Sequence, residues 1–203
     1  PDHWHVLPSV MAAQRGKDVM CEKPLTLTVQ EGRILSDVME RTGRIFMTST
    51  ENRSDENYLR MCEFVRNGRI GKLQRIEVGL PGEPSVHPAS QEVQPVPEGF
   101  DYDMWLGQAP EKPYCPARCH WNFRWIIDYS GGQLTDWGAH MIDLAQWGHD
   151  TEYTGPVEIE AKGYFPEDAF YDVAHQFKIN YRYADGVEML VESKHPYLKF
   201  IGE

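Results

Sequence analysis

Residues 17–50, KDVMCEKPLTLTVQEGRILSDVMERTGRIFMTST, decide the fold class. The short apolar run at 17–21 predicts a buried strand, and RIFMTST at the end of the segment predicts a second one. Between them, Thr28 and Glu31 have the spacing of a capping box, and Gly43 supplies a helix stop. Two short strands joined by a helix of this length predict parallel pairing through a helical crossover, which is an α/β arrangement.

The pattern changes after a second predicted helix, which begins near Asp55 and ends at Asn67 and Gly68. From about residue 72 the apolar residues alternate with polar ones, as in KLQRIEVGL, PVEIEAKGYF, DVAHQFKINYRY and ADGVEMLVES. A stretch rich in proline and glycine, 81–99, has no helical or strand period and is a candidate substrate lid or packing segment. The second half therefore predicts an α+β domain with an open, mainly antiparallel sheet.

Composition limits the possible partners. The chain has 203 residues, 41% of them apolar, which is enough for one sizeable domain or two small ones. Its formal net charge of -11 argues against a nucleic-acid-binding surface, because such surfaces cluster lysine and arginine. No apolar run approaches the roughly 20 residues that cross a bilayer. Only four cysteines favour a reducing compartment, and we expect a cytoplasmic protein that binds a small molecule.

The segment SGGQLTDWGAHMIDLAQWG, 130–148, is the most informative for chemistry. On a helix with about 100° per residue, Asp136, His140 and Asp143 share one face, among Trp137, Leu144 and Trp147. The opposite face carries apolar or small residues, namely Leu134, Gly138, Met141 and Ala145. Titratable groups beside aromatic rings are typical of a cleft wall, although an exposed Asp–His pair has the same spacing.

Two chemistries suit this face. His140 can act as a general acid or base with Asp136 fixing its tautomer, or the three residues can ligate a divalent metal with help from His3 and His5. The lysine of CEKPLT, Lys23, favours the first, because an ammonium group is a poor metal ligand but stabilises a developing alkoxide. The CPARCH segment has one residue too many for a haem-attachment motif, so its cysteines are interpreted as loop thiols.

These residues resemble the Gfo/Idh/MocA oxidoreductases. CEKPLT is similar to the E-K-P motif of that family, and GGQLTDWGAHMIDLAQW is similar to its G-G-x-L-x-D-x-x-x-H-x-x-D segment. The opening PDHWH resembles the P-N/D-x-x-H turn that lines the nicotinamide there. The three motifs occur in the family's order and span nearly the whole chain, and the tryptophan-rich loops resemble the bacterial sugar-dehydrogenase-like subgroup.

The resemblance implies a bound NAD or NADP and two domains. Residues 1–52 would be the C-terminal part of a Rossmann domain, and 53–203 an α+β substrate domain whose open sheet packs against another subunit in a homo-oligomer. It implies catalytic roles for Lys23, Asp136 and His140. The residues implied to line the cofactor are Pro1, Asp2, His5, Glu22, Lys23 and Pro24, and those implied to contact substrate are Asn122, Arg124, Trp125 and Asp136.

The implied activity is hydride transfer between a nicotinamide cofactor and a sugar, cyclitol or related polyol. The glycine-rich G-x-G-x-x-G turn of a Rossmann domain does not occur in this sequence, and LKFIGE stops where the family continues into further strands, so we expect a fragment that is truncated at both ends and inactive alone. Two alternatives remain open. One is NAD-dependent glycoside cleavage on the same fold, and the other is a non-catalytic regulatory protein that binds a nucleotide.

Overall fold

The computed structural model describes residues 1–203. The α-helices are α1 (Val6–Gln14), α2 (Val29–Thr42), α3 (Glu56–Arg66), α4 (Tyr102–Leu106) and α5 (Gln133–Gly148). The strands are β1 (Val19–Glu22), β2 (Phe46–Ser49), β3 (Arg75–Leu80), β4 (Glu158–Tyr164), β5 (Gln176–Arg182), β6 (Glu188–Ser193) and β7 (Tyr197–Ile201). Short 3-10 turns cover Asp2–Trp4, Glu51–Ser54, Pro116–Arg118 and Asn122–Trp125.

The chain forms two compact units, each assembled from three segments. The first unit contains Pro1–Ser49, Pro84–Gly132 and Pro166–Val173. The second unit contains Thr50–Glu83, Gln133–Phe165 and Ala174–Glu203. The division into domains 1–52 and 53–203, which rests on the family resemblance, stays a prediction.

The first unit contains the parallel pair β1–β2, with Val19 opposite Phe46 and Glu22 opposite Ser49. Helix α2 makes the crossover between these strands, as the sequence predicts. The Thr28 hydroxyl accepts a hydrogen bond from the Glu31 backbone N–H, and the Glu31 carboxylate accepts one from the Thr28 backbone N–H. Gly43 ends the helix with φ 62°, a left-handed conformation that favours glycine.

The capping box gives a first testable prediction. Thr28→Ala removes the side-chain acceptor at the helix start, so we expect the free energy of unfolding to fall by about 1 kcal/mol. Chemical denaturation measures the change, and Ser36→Ala, at an exposed position in the middle of α2, is the matched control. If both substitutions change stability equally, the cap does not contribute.

The rest of the first unit is built around aromatic side chains. One buried cluster contains Tyr102, Tyr114, Phe123 and Tyr129 with Cys119. The irregular stretch predicted at 81–99 packs in part on this region, because the Gln94 backbone N–H donates to Tyr114 O at 3.0 Å. The 81–99 stretch therefore packs against the 114–122 segment, as one of its two predicted roles requires.

The second unit contains an open five-stranded sheet in the order β4-β5-β6-β3-β7. Three of its pairings are antiparallel, and β3–β6 is parallel. The predicted hairpin is present, since Tyr183 N–H donates to Val187 O and Gly186 has φ 91°. The predicted fold class, an α/β part followed by an α+β part with an open and mainly antiparallel sheet, is confirmed.

The core of the second unit lies between the sheet and helices α3 and α5. Alternate residues of β3, such as Ile76 and Val78, are fully buried and pack in one cluster with Met141 and Leu144 of α5. Leu144 is therefore a core residue, although its position on the helical wheel predicts that it borders the polar face. Gly148 ends α5 where an added Cβ would meet the Phe200 ring at 2.4 Å, so only glycine permits this close approach.

None of the helices in the structure combines the length and the apolar character that crossing a bilayer requires.

Candidate functional site

In the first unit, the opening turn, which is PDHWH at residues 1–5, contacts the loop that carries Lys23 after β1, called here the lysine loop. His5 Nδ1 donates a hydrogen bond to the Pro24 carbonyl at 2.8 Å, and a carbonyl can only accept, so Nδ1 carries the hydrogen. The Ser9 hydroxyl donates to the His5 carbonyl at 2.5 Å and holds the same turn from the other side. Lys23 follows directly after β1, at the carboxyl end of the parallel pair, where open α/β sheets bind ligands.

Asp2 of the opening turn is buried rather than open to a ligand. Its carboxylate accepts a hydrogen bond from the buried Ser130 hydroxyl. Burial raises the pKa of the Asp2 carboxyl, and the Ser130 hydrogen bond and the charges of His5 and Arg124 partly oppose that shift. Among the residues implied to line the cofactor, Asp2 thus holds the turn in place, while Pro1 and Glu22 are exposed and Lys23 is half-buried.

His3 is a core residue of the first unit. Its Nε2 donates to the Trp105 carbonyl at 3.0 Å, and its ring contacts Trp105 and Tyr129 edge-on or tilted. Burial lowers the pKa of His3, which favours the neutral ring that a core position requires.

In the second unit, Asp136 and His140 lie on α5 as predicted, one turn apart and partly exposed. The His140 side chain is 15% exposed, and its Nε2 lies 3.6 Å from Oε1 of Glu51. His140 Nδ1 is enclosed and has no hydrogen-bond partner. The imidazole therefore has one shielded nitrogen and one nitrogen that faces a carboxylate, an arrangement suited to proton transfer through Nε2.

Asp143, the third ionisable group on this face, has a structural role. Both of its oxygens accept hydrogen bonds from Arg53, from Nε at 2.7 Å and from Nη2 at 2.7 Å. Arg53 also pairs with Glu152 at 2.5 Å and lies 5.2 Å from the Trp147 ring centre. The hydrogen bonds with Asp143 raise the pKa of Arg53. The metal-ligand alternative thus loses the ligand that Asp143 would have supplied.

The Arg53–Asp143 pair gives a second testable prediction. Arg53→Met keeps the length of the side chain but leaves a half-buried carboxylate without its bidentate partner, so we expect unfolding to require about 2 kcal/mol less. Thermal and chemical denaturation measure the loss. Arg60→Met is the control, because Arg60 pairs with Glu56 on the exposed surface of α3, where ion pairs contribute little. Equal stability of the two variants would contradict the structural role.

The three predicted substrate contacts of the first unit lie in different environments. The Asn122 amide accepts from His87 N–H and donates to the His87 carbonyl, both at 2.8 Å, so it holds the 81–99 stretch. Trp125 is 1% exposed and belongs to the interior. The Arg124 guanidinium lies 4.4 Å from the Trp121 ring centre. The substrate-binding role of these residues stays a prediction, and the geometry of Arg124 suits it better than that of the other two.

Sequence reasoning missed Glu51 and Arg53. Both lie in the 3-10 turn that follows β2, at the carboxyl end of a parallel strand. That position is the signal that could have found them, because ligand sites of open α/β sheets collect there.

The cysteines of CPARCH flank the 3-10 turn Pro116–Arg118 and are buried, so they pack in the interior instead of lying in an open loop. Burial raises the pKa of the Cys119 thiol to about 12, which disfavours the reactive thiolate. All four cysteines of the chain are free thiols.

Two family models match this chain. The model of the oxidoreductase family's NAD-binding Rossmann fold matches residues 1–50. The model of its C-terminal alpha/beta domain matches residues 86–199, which is more than half of the chain. The chain belongs to the Gfo/Idh/MocA oxidoreductase family. The prediction of the family from the CEKPLT, PDHWH and GGQLTDWGAHMIDLAQW motifs is confirmed.

Curated relatives and solved structures agree with this assignment. The chain is 35% identical over 147 residues to a scyllo-inositol 2-dehydrogenase (NAD(+)) of Bacillus subtilis, covering 72% of this chain and 32% of the relative. It is 27% identical over 147 residues to a levoglucosan dehydrogenase of Pseudarthrobacter phenanthrenivorans, covering 72% and 30%. The fold matches that of an aldose-aldose oxidoreductase from Caulobacter crescentus, with a TM-score of 0.71 and 19% identity, over 100% of this chain and 52% of that one.

The matched region is thus about a third of the length of these curated relatives. The family assignment confirms the prediction of a nicotinamide dinucleotide cofactor, since the family's Rossmann fold is NAD-binding. The first unit fits this group. Its lysine loop and opening turn are joined by the His5–Pro24 hydrogen bond at the carboxyl end of β1, where open α/β sheets bind ligands, and they carry the Lys23 ammonium group and the His5 imidazole.

Proposed function

We propose that the full-length protein transfers a hydride between NAD or NADP and a CH–OH carbon of a sugar, cyclitol or related polyol. The observation that carries the proposal is His140, a largely shielded imidazole on α5 with one ring nitrogen available for proton transfer and Asp136 one turn away. The words scyllo-inositol, levoglucosan and D-glucoside in the names of three dehydrogenase relatives support the substrate class.

Each site residue has a distinct role in this proposal. His140 accepts the hydroxyl proton of the substrate at Nε2 in the oxidative direction, and Asp136 orients the substrate or the imidazole. Lys23 stabilises the alkoxide character that develops on the substrate oxygen. A bound nicotinamide would supply the hydride acceptor for the same carbon. The opening turn and the lysine loop would hold the cofactor through residues Pro1, His5, Glu22, Lys23 and Pro24, with Asp2 supporting the turn from inside.

The proposal is tested by assaying the full-length protein with NAD and with NADP against a panel of sugars, inositols and other polyols. We expect substrate-dependent formation of reduced cofactor with at least one polyol. Cofactor that stays bound while a glycoside is cleaved without net reduction would replace the proposal by the glycoside-cleavage alternative. Bound nucleotide without any turnover would indicate a regulatory protein.

We also propose that the protein is a homo-oligomer, assembled through the face of the five-stranded sheet that α5 does not cover. That face carries half-buried polar and charged residues of β3, including the Arg75–Glu77 ion pair at 3.2 Å. Light scattering of the full-length protein gives the oligomeric state, and a monomer would contradict the proposed homo-oligomer.

The free thiols support placement of the protein in the cytoplasm.

A further inference from the structure

The environment of His140 raises the question of where its proton goes. Each oxidation of an alcohol releases one proton, and a histidine that accepts it must lose it before the next turnover. His140 Nδ1 is enclosed and has no hydrogen-bond partner, so the ring gains and loses the proton at Nε2. The side chain is only 15% exposed, which limits direct exchange with bulk water.

A carboxylate lies next to this nitrogen. Glu51 Oε1 is 3.6 Å from His140 Nε2, slightly beyond hydrogen-bond distance, and the Glu51 side chain is 62% exposed. Glu51 thus connects a largely shielded imidazole with solvent. A small side-chain rotation brings the two atoms into hydrogen-bond contact once Nε2 carries a proton.

The backbone that carries Glu51 is fixed to α5 beside His140. Glu51 and Arg53 share one 3-10 turn, and Arg53 binds both oxygens of Asp143, which lies three residues after His140 on α5. Arg53 also pairs with Glu152 and lies over Trp147. The turn is therefore held at several points, so the separation of Glu51 and His140 is set by well-anchored groups.

We propose that Glu51 is the proton relay of His140 and carries the substrate proton between the imidazole and solvent. The inference rests on the proposed function, in which His140 is the acid–base group. In the oxidative direction the substrate O–H bond breaks and its proton forms the Nε2–H bond of His140, while the hydride leaves for the nicotinamide. The Nε2–H bond then breaks as Glu51 Oε1 takes the proton, and Glu51 passes it to water. In the reductive direction every step runs backwards.

The test separates hydride transfer from proton release in a single turnover of the full-length enzyme. Cofactor absorbance reports the hydride step, and a pH-indicator dye reports the proton. In the unsubstituted enzyme we expect the two signals to rise together. In Glu51→Gln we expect the hydride signal to keep its rate while proton release slows by about tenfold, which is less than the roughly hundredfold minimum for direct acid–base assistance because the relay acts after the chemical step. Added formate at the same starting pH restores the release rate, because a small carboxylate replaces the missing one without buffering the signal of the dye.

Two further variants keep the test decisive. Glu51→Asp retains a carboxylate on a shorter chain, and we expect partial proton release without added buffer. Glu63→Gln makes the same charge change at an exposed position of α3 and leaves both signals unchanged. Simultaneous hydride and proton signals in Glu51→Gln would overturn the relay. Loss of the hydride signal that buffer does not restore would also overturn it, because Glu51 would then act in the chemical step or in folding.

The proposed function has its own readout in the same experiment. His140→Ala loses the hydride signal if His140 is the acid–base group, whatever Glu51 does. If His140→Ala keeps that signal, the proposed function fails together with the relay. If only Glu51→Gln behaves like the unsubstituted enzyme, the relay alone fails.

Discussion

His140→Ala in the full-length enzyme is expected to lower kcat at least about a hundredfold, which is the lower end of what a positioned acid–base group contributes. In the proposed mechanism the imidazole takes the substrate proton, and alanine leaves no side chain to replace it. The Michaelis constant for the cofactor changes little, because the proposal assigns nicotinamide binding to residues of the first unit. Steady-state kinetics with the polyol identified by the activity screen measures both parameters.

His195→Ala is the matched control for this substitution. His195 is exposed and lies in the loop between β6 and β7. We expect its removal to leave kcat within the error of the assay. Turnover of His140→Ala close to that of the control would show that the acid–base group is a different residue.

Lys23→Ala is expected to have an effect of the same size, a loss of at least about a hundredfold in kcat. In the proposed mechanism the ammonium group stabilises negative charge on the substrate oxygen, and that charge is greatest in the transition state. Removing it therefore reduces kcat more than it weakens substrate binding. Lys23→Arg restores little, because a planar guanidinium presents its donors in a different geometry from a compact ammonium group.

The control for Lys23 is Lys17→Ala, which removes the same charge from an exposed position just before β1. It tests whether the general electrostatics of the first unit attract the cofactor. Equal losses in Lys17→Ala and Lys23→Ala would assign the effect to net charge instead of to contact with the reacting oxygen.

Local signals in the sequence predicted local structure well. Thr28, Glu31 and Gly43 define both ends of α2, because capping and the left-handed stop depend on residues within one turn of the helix end. Asp55 caps α3 through hydrogen bonds from the backbone N–H groups of Asn57 and Tyr58, as its position before the helix predicts. Periodicity also predicted strands at β3, β5 and β6, where one face is buried.

Helix α1 was missed because its sequence lacks the usual signals. VLPSVMAAQ is mostly apolar and has no polar face to reveal a period of 3.6 residues. Pro8 also reads as a helix breaker, but it lies in the first turn of α1, where a missing backbone N–H costs nothing.

Contacts between distant segments could not be read from the sequence. The parallel pairing of β3 with β6 follows from the packing of the whole sheet, and neither strand has a sequence feature that identifies its partner strand. Arg53 and Asp143 are 90 residues apart, so a helical wheel placed Asp143 on a polar face without showing that Arg53 occupies it. The sequence likewise gives no sign that the Asn122 amide pairs with the His87 backbone, and the substrate contact implied for Asn122 stays a prediction.

The candidate site also combines residues that local motifs predict with residues that only the contacts in the structure show. The motifs indicate Lys23, Asp136 and His140, because residue type and spacing carry chemistry directly, and the roles of these residues stay predictions. They did not locate Glu51, whose importance depends on its 3.6 Å distance to His140 Nε2. They also did not show that Asp2 is turned inward, because burial of a polar side chain depends on a partner such as Ser130 that lies far along the chain.

The chain alternates between its two units, and this alternation limits how the units can be separated. The backbone passes from one unit to the other after residues 49, 83, 132, 165 and 173. Neither unit is therefore encoded by an uninterrupted stretch of the gene, and a single cut in the polypeptide cannot release one intact. An engineer who wishes to exchange one unit with that of a relative must transplant three segments together, because each unit is made of three separated stretches of the chain.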